Sequence, residues 1–259
     1  MRGACRLSLN QGRNIMNLFT APEVIKNYAA AGKKKTELSV FRMLVLGILA
    51  GMFIALGAAV TNTAAHTITD VSTARIICGL LFPAGLSLVI LMGGELFTGN
   101  CLISISVLEK ETTTGMMLKN WLFVYIGNFI GSIIVAAGCA YFGQMNYSGG
   151  GLAVFTMKLA ATKASLPMGN AIVLGFFCNV LVCFAVLCSL EAKDVTGRIV
   201  GTFLPIASFV ICEMCIRDRY GDVQRLKDHF HKICRTVHIP SEVHSPAHKL
   251  KCCFLTEFH

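Results

Sequence analysis

The sequence predicts an all-α protein that crosses a membrane several times. Composition carries the first part of that prediction: of 259 residues, 54% are hydrophobic and only 14% charged. An ordinary soluble domain carries about 25% charged residues. Mean hydropathy is +0.65. The second observation is a pattern. A spanning helix needs about 20 mostly apolar residues, and the stretches 43–65, 76–94, 120–157 and 164–190 contain no Asp, Glu, Lys or Arg. A large soluble protein with buried helices fits four such runs poorly. The net charge of +9 does not point to nucleic acid, because the basic residues lie at the ends and between apolar runs. Nor do the twelve cysteines form a secreted disulfide framework. Seven of them (Cys78, Cys101, Cys139, Cys178, Cys183, Cys188 and Cys212) lie in or beside apolar runs, where free cysteine behaves as a small hydrophobe.

Taken in order, residues 1–15 have little pattern and are expected to be an upstream extension. Thr20-Ala-Pro-Glu23 reads as a helix start, with Thr20 as N-cap, Pro22 at the second position and Glu23 closing a capping box. Val24, Ile25, Tyr28 and Ala29 give one short apolar face ahead of Lys33-Lys34-Lys35. Residues 16–40 therefore read as an amphipathic helix on the cytoplasmic membrane surface, followed by a basic linker. The channel-sized remainder, 41–212, holds spans at about 41–65, 74–108 (interrupted at 93–100), 119–143, 166–190 and an incomplete one at 197–212. The first apolar stretch is too long and too deep in the chain for a cleavable signal peptide. Arg2, Arg6, Arg13, Lys26, Lys33, Lys34, Lys35 and Arg42 precede the first span. Lys110, Lys119, Lys193 and Arg198 fall on the same side, against Arg75, Lys158 and Lys163 on the other. That imbalance predicts a cytoplasmic N-terminus.

The second run does not end like an ordinary helix. It reads Gly93-Gly-Glu-Leu-Phe-Thr-Gly-Asn100 before becoming apolar again to Leu108, and glycines are poor helix-interior residues. Two readings follow. Either the segment re-enters the membrane, where irregular backbone must be packed in protein or line a cavity, or it is a surface loop ahead of a short helix. Glu95, if intramembrane, is a functional-site or packing-network residue. Other polar and apolar positions are ambiguous on their own. Phe82 and Leu86 share a helix face, Asn179 suits interhelical hydrogen bonding, and Lys163 suits an interfacial lysine.

The motif 93–100 closely resembles the signature of the formate/nitrite transporter family. Lys119-Asn-Trp-Leu122 with Tyr125-Ile-Gly-Asn-Phe-Ile-Gly131 is similar to the family's third helix. Leu174-Gly-Phe-Phe-Cys-Asn179-Val-Leu-Val-Cys183 is similar to its fourth, and Pro205-Ile-Ala-Ser-Phe209-Val is a further match. The resemblance covers about 16–212. It implies an aquaporin-like six-helix fold with the second and fifth helices interrupted, a homopentamer in the bacterial inner (cytoplasmic) membrane, and one pore per subunit. It also implies a channel or transporter rather than an enzyme, without cofactor or metal, moving formate, nitrite or hydrosulfide together with protons. Phe82, Leu86, Leu96 and Phe209 match the family's two constrictions. Glu95, Phe97, Thr98, Gly99 and Asn100 match its pore loop, with the threonine hydroxyl facing the pore. Lys163 and Asn179 match the lysine that attracts anions and a polar pore residue. A neutral-solute channel is the alternative that the fold permits.

The pattern then fails. The family's Gly-Phe-Glu-His and second half-helix should follow Cys212. The chain instead reads Glu-Met-Cys-Ile-Arg-Asp-Arg, placing Ile216 where the family has its central histidine. Residues 214–259 hold six of the seven histidines and eight of the 23 Lys and Arg, with no apolar run able to span. Met214–Arg219 is similar to the translation of a transposon end used in preparing sequencing libraries. Residues 213–259 are therefore expected to be non-native and the fifth helix truncated, which keeps a non-conducting family member as a further alternative. His229, His231, Cys234 and His238 have the residue types of a zinc site at a spacing that fits no standard pattern.

Overall fold

The computed structural model describes residues 18–215, and among them there is no β-strand. The chain forms α1 (Ala21–Thr36), α2 (Val40–Ala65), α3 (Val71–Leu81), α4 (Pro83–Met92), α5 (Phe97–Asn100) and α6 (Ile103–Leu108). These are followed by α7 (Thr114–Tyr141), a 3-10 turn (Gln144–Asn146), α8 (Gly151–Ala164), α9 (Met168–Glu191) and α10 (Val195–Cys215). Five stretches are long and apolar enough to cross a membrane: α2, α3 with α4 (Val71–Met92), α7, α9 and the Val195–Cys212 part of α10.

Local chemistry sets the helix ends. The Thr20 amide and hydroxyl both donate to the Glu23 carboxylate at 2.8 Å, starting α1. Asp70 caps α3 by accepting from the Thr73 amide at 2.7 Å, and the Thr113 hydroxyl accepts from the Met116 amide to start α7. Pro83, which lacks an N–H, separates α3 from α4 at Phe82. Gly93 takes the left-handed conformation (φ 69°) that ends α4.

Glycines set the closest helix crossing. A Cβ on Gly47 of α2 would lie 3.0 Å from the Val124 carbonyl of α7, and one on Gly127 would lie 2.8 Å from the Leu44 carbonyl. Small residues at such crossings let backbones approach, as membrane helices require. α9 and α10 form a comparable hairpin, with Gly201 against the Cys188 carbonyl. The core gathers Ala50, Cys78, Leu86, Val89, Val182, Ala185, Ile206 and Val210 from α2, α3, α4, α9 and α10. Large apolar side chains such as Ile172, Phe176, Phe177 and Leu204 face outward, the arrangement of helices solvated by lipid or by further protein.

Several expectations change. The apolar face of α1 is covered by protein rather than by a membrane surface: Val24, Tyr28, Ala29, Gly32 and Thr36 are buried, and only Ile25 of the expected face is exposed. The uncharged run 120–157 contains α7 from Asn120 onward, the turn and the start of α8, a helix of 14 residues that the run's length conceals. Within 93–100, residues 97–100 form one helical turn, so the irregular backbone is confined to 93–96. α10 starts at Val195, placing Arg198 in its first turn, where a long basic side chain reaches an interface. The expected interruption of that fifth helix, Ile216, the His/Cys cluster, the 213–259 tail beyond Cys215 and the 1–15 extension lie outside the described residues.

Candidate functional site

The loop between α4 and α6 sits at the middle depth of its neighbours, which decides between the two readings of 93–100. The Phe97 amide donates to Asn128 Oδ1 at 2.8 Å, and Asn128 is at the centre of the 28-residue α7. On the other side, Asn179 Nδ2 donates to the Thr98 carbonyl at 3.4 Å, and Asn179 is at the centre of the 24-residue α9. The segment is an interruption inside the helix bundle and not a surface loop. Its irregular backbone is partnered by the Asn128 side chain and by neighbouring backbone, as the absence of water in a bilayer core demands. Asn128 Nδ2 donates to the carbonyls of Gly47 and Glu95, both at 2.8 Å. The Glu95 amide donates to the Leu46 carbonyl at 3.1 Å, and the Gly94 amide to that of Val89 at 2.8 Å.

One side of the loop is an ionic and amide network. Glu95 is 5% exposed, and Lys35 from the last turn of α1 places Nζ 3.0 Å from each of its carboxylate oxygens. The same ammonium donates to Asn100 Oδ1 at 3.0 Å. Asn100 Nδ2 in turn donates to Glu95 Oε2 at 2.7 Å and to Asn120 Oδ1 at 2.9 Å, and Asn120 Nδ2 returns to the Lys35 carbonyl at 3.1 Å. A buried carboxylate is tolerated when paired and hydrogen-bonded in this way. The Trp121 indole donates to the Asn100 carbonyl at 2.9 Å. The Tyr28 hydroxyl donates to the Gly99 carbonyl at 3.1 Å, and its pKa is pushed up by burial and by the Glu95 charge.

The other side faces α9 and α10. The Thr98 carbonyl, Asn179, Cys101 and Cys183 come together there. Below them Phe82, Leu96 and Phe209 pack against the cluster that contains Leu86. The structure thus brings Phe82, Leu86, Leu96 and Phe209 into one apolar group beside the loop tip. Phe97 instead leans on α7, edge-on to Trp121 (6.1 Å) and Tyr125 (5.4 Å). Asn100 is buried toward α1 and α7 with Glu95, while buried Gly99 turns its Cα toward Val186 of α9. Lys163 stands half-buried in the last turn of α8, an element separate from the loop. Among the described residues no three His, Cys, Asp or Glu side chains gather as a metal site.

Sequence reasoning missed Lys35, Tyr28, Asn120 and Asn128 as members of the site. The signal was present for the two asparagines, since amides at the start and centre of a transmembrane helix need partners. Lys35 gave none, being one of three consecutive lysines.

A family model described as formate/nitrite transporter matches residues 22–215. The chain belongs to the formate/nitrite transporter family. It is 34% identical over 197 residues to the formate channel BtFdhC of Bacillus thuringiensis, covering 74% of this chain and 75% of that one. To the formate channel FocA of Haemophilus influenzae it is 29% identical, over 82% and 76% of the two chains. Among solved structures, a pentameric formate channel with formate bound superposes with a TM-score of 0.60 at 30% identity, covering 68% of this chain and 69% of that one. A second family ion channel reaches a TM-score of 0.68 at 24% identity, a likeness of fold. The all-α, multi-pass fold of the formate/nitrite transporters, with its interrupted second span, is the fold of this chain.

Proposed function

We propose that this formate/nitrite transporter conducts small monovalent weak-acid anions of the formate, nitrite and hydrosulfide class, with a proton linkage, as a homopentamer in the inner membrane with its N-terminus cytoplasmic. The observation that carries the reading is the loop held at mid-depth, with its tip against Asn179 and an apolar group of Phe82, Leu86, Leu96 and Phe209. The imbalance of Lys and Arg supports the orientation.

The physical problem is to pass a charged solute by an apolar ring. Desolvating a carboxylate-sized ion costs several kcal/mol even after relaxation. Protonating an acid of pKa about 4 at pH 7 costs about 4 kcal/mol. The two costs are comparable, so crossing as the neutral acid competes with crossing as the anion. Lys163, as a cation near the vestibule, raises the local anion concentration. The Thr98 hydroxyl and Asn179 offer polar stations between the constrictions. Glu95 takes no part in conduction on this reading; its charge is spent on Lys35 and the loop.

Uptake of formate, nitrite and hydrosulfide into proteoliposomes at two pH values tests the proposal. The comparison is between this chain and one whose 213–259 is replaced by a Gly-Phe-Glu-His segment and a sixth helix. Uptake is expected from the repaired chain and to rise as the outside is acidified. Neutral-solute flux without anion uptake from the repaired chain would sink the reading.

A further inference from the structure

Two thiols meet one amide beside the loop tip. Cys101, just past α5, accepts from Asn179 Nδ2 at 3.3 Å. Cys183, one turn along α9 from Asn179, donates to Asn179 Oδ1 at 3.4 Å and to the Thr98 carbonyl at 3.6 Å. Cys101 Sγ also donates to the Phe97 carbonyl at 3.5 Å. These are long bonds made by sulfur, a weak donor and a weak acceptor, so little is lost when they are exchanged for a stronger partner. Both thiols are free and only half-buried.

We propose that Cys101 and Cys183 form a two-sulfur site for a soft d10 metal ion, the class that Hg²⁺ represents. Thiolate ligands select soft ions, and the other groups bonded to the two thiols are one amide and the carbonyls of Phe97 and Thr98. Binding exchanges two S–H bonds for two metal–sulfur bonds: M²⁺ + 2 Cys–SH → Cys–S–M–S–Cys + 2 H⁺. With a divalent ion the product is neutral, which avoids the cost of leaving net charge in an apolar surrounding. Metal–sulfur bonds of about 2.3 Å are short beside the present hydrogen bonds. Because both sulfurs already lie within 3.4 Å of one amide, side-chain rotation is the movement needed to bring them to a common ion. The Thr98 carbonyl and Asn179 Oδ1 stand by as weaker oxygen ligands. Occupation would tie the loop tip to α9. The site stands on geometry and does not depend on the transport reading.

Alkylation of the full-length protein in detergent with N-ethylmaleimide, mapped by mass spectrometry with and without one equivalent of HgCl2, tests the site. A metal-bound thiolate is withdrawn from the nucleophilic pool. Labelling of Cys101 and Cys183 should slow together by about tenfold or more, while Cys178 and Cys188 on the same helix as Cys183 keep their rates. C101S should return Cys183 to its unprotected rate, and C183S should do the same for Cys101. Serine retains a polar atom at each position, and an unchanged melting temperature without metal verifies the fold. The wild-type chain supplies a test without any variant, because the two cysteines must be protected in the same molecules. Protection of one thiol that survives loss of the other overturns the proposal, as does an absence of protection at both.

Discussion

Glu95 carries the most consequential charge in the described bundle, at 5% exposure, and its stability rests on a lysine sixty residues away in sequence. Lys35→Met leaves the carboxylate buried without its cation, at a cost of about 3 kcal/mol. A lower melting temperature in detergent is expected, with most of the loss recovered by Lys35→Met with Glu95→Gln. Unchanged melting of the single variant would show that the ion pair does not hold the loop. Tyr28→Phe removes the bond to the Gly99 carbonyl and should cost about 1 kcal/mol by the same measurement. Two exposed carboxylates add a pH dependence. Hydrogen bonds from the Thr20 amide and hydroxyl hold Glu23 below its ordinary 4.5, and those from the Thr73 hydroxyl and amide hold Asp70 below 3.8. A lowered folded-state pKa means the contribution is complete above those ordinary values and fades as pH falls through the folded ones. Protection of the amides in the first turns of α1 and α3, relative to their intrinsic exchange rates, should therefore fall in acid below that range and stay flat above it. At this scale Glu95 was legible in the sequence and Lys35 was not. Lys33, Lys34 and Lys35 read alike as topology charges, and only the rotation of α1 sends Lys35 inward while Lys33 meets Glu111 at the surface.

Packing of α2 against α7 positions the loop, because Asn128 joins both helices to it. Gly127→Ala places a Cβ 2.8 Å from the Leu44 carbonyl, a backbone atom that cannot turn aside. The helices must separate, with an expected loss of about 1–3 kcal/mol in thermal unfolding. Gly138→Ala, where an added Cβ meets nothing within 4 Å, serves as the control. The spanning helices were legible from uncharged runs, since bilayer thickness imposes a length on them. α8 was not, because a short helix joined to a span by an uncharged turn leaves no gap in such a run. The inward face of α1 was misassigned for a related reason: a narrow apolar stripe fits a lipid surface and a protein surface equally well.

On the scale of the whole molecule, the group of Phe82, Leu86, Leu96 and Phe209 joins α4, the loop and α10 into one apolar wall. If that wall limits passage, Leu86→Ala and Phe209→Ala should raise weak-acid flux in the repaired chain and admit larger monocarboxylates, read as competition by acetate and lactate. Equal flux and selectivity in all three proteins would move the constriction elsewhere. The start of the described chain is also joined to the end of α9 and the turn after it. Leu18 pairs with Ala192 across an isolated bridge, the Phe19 amide donates to the Glu191 carbonyl at 2.8 Å, and Lys193 lies 4.8 Å from the centre of the Phe19 ring. This clasp has a consequence for biosynthesis. The ribosome must finish α9 before the segment ahead of α1 has anything to hold. Until then α1 is held through the loop and α7, by the bonds of Tyr28, Lys35 and Asn120. The last tie on the start of α1 is thereby delayed until four of the spans are made.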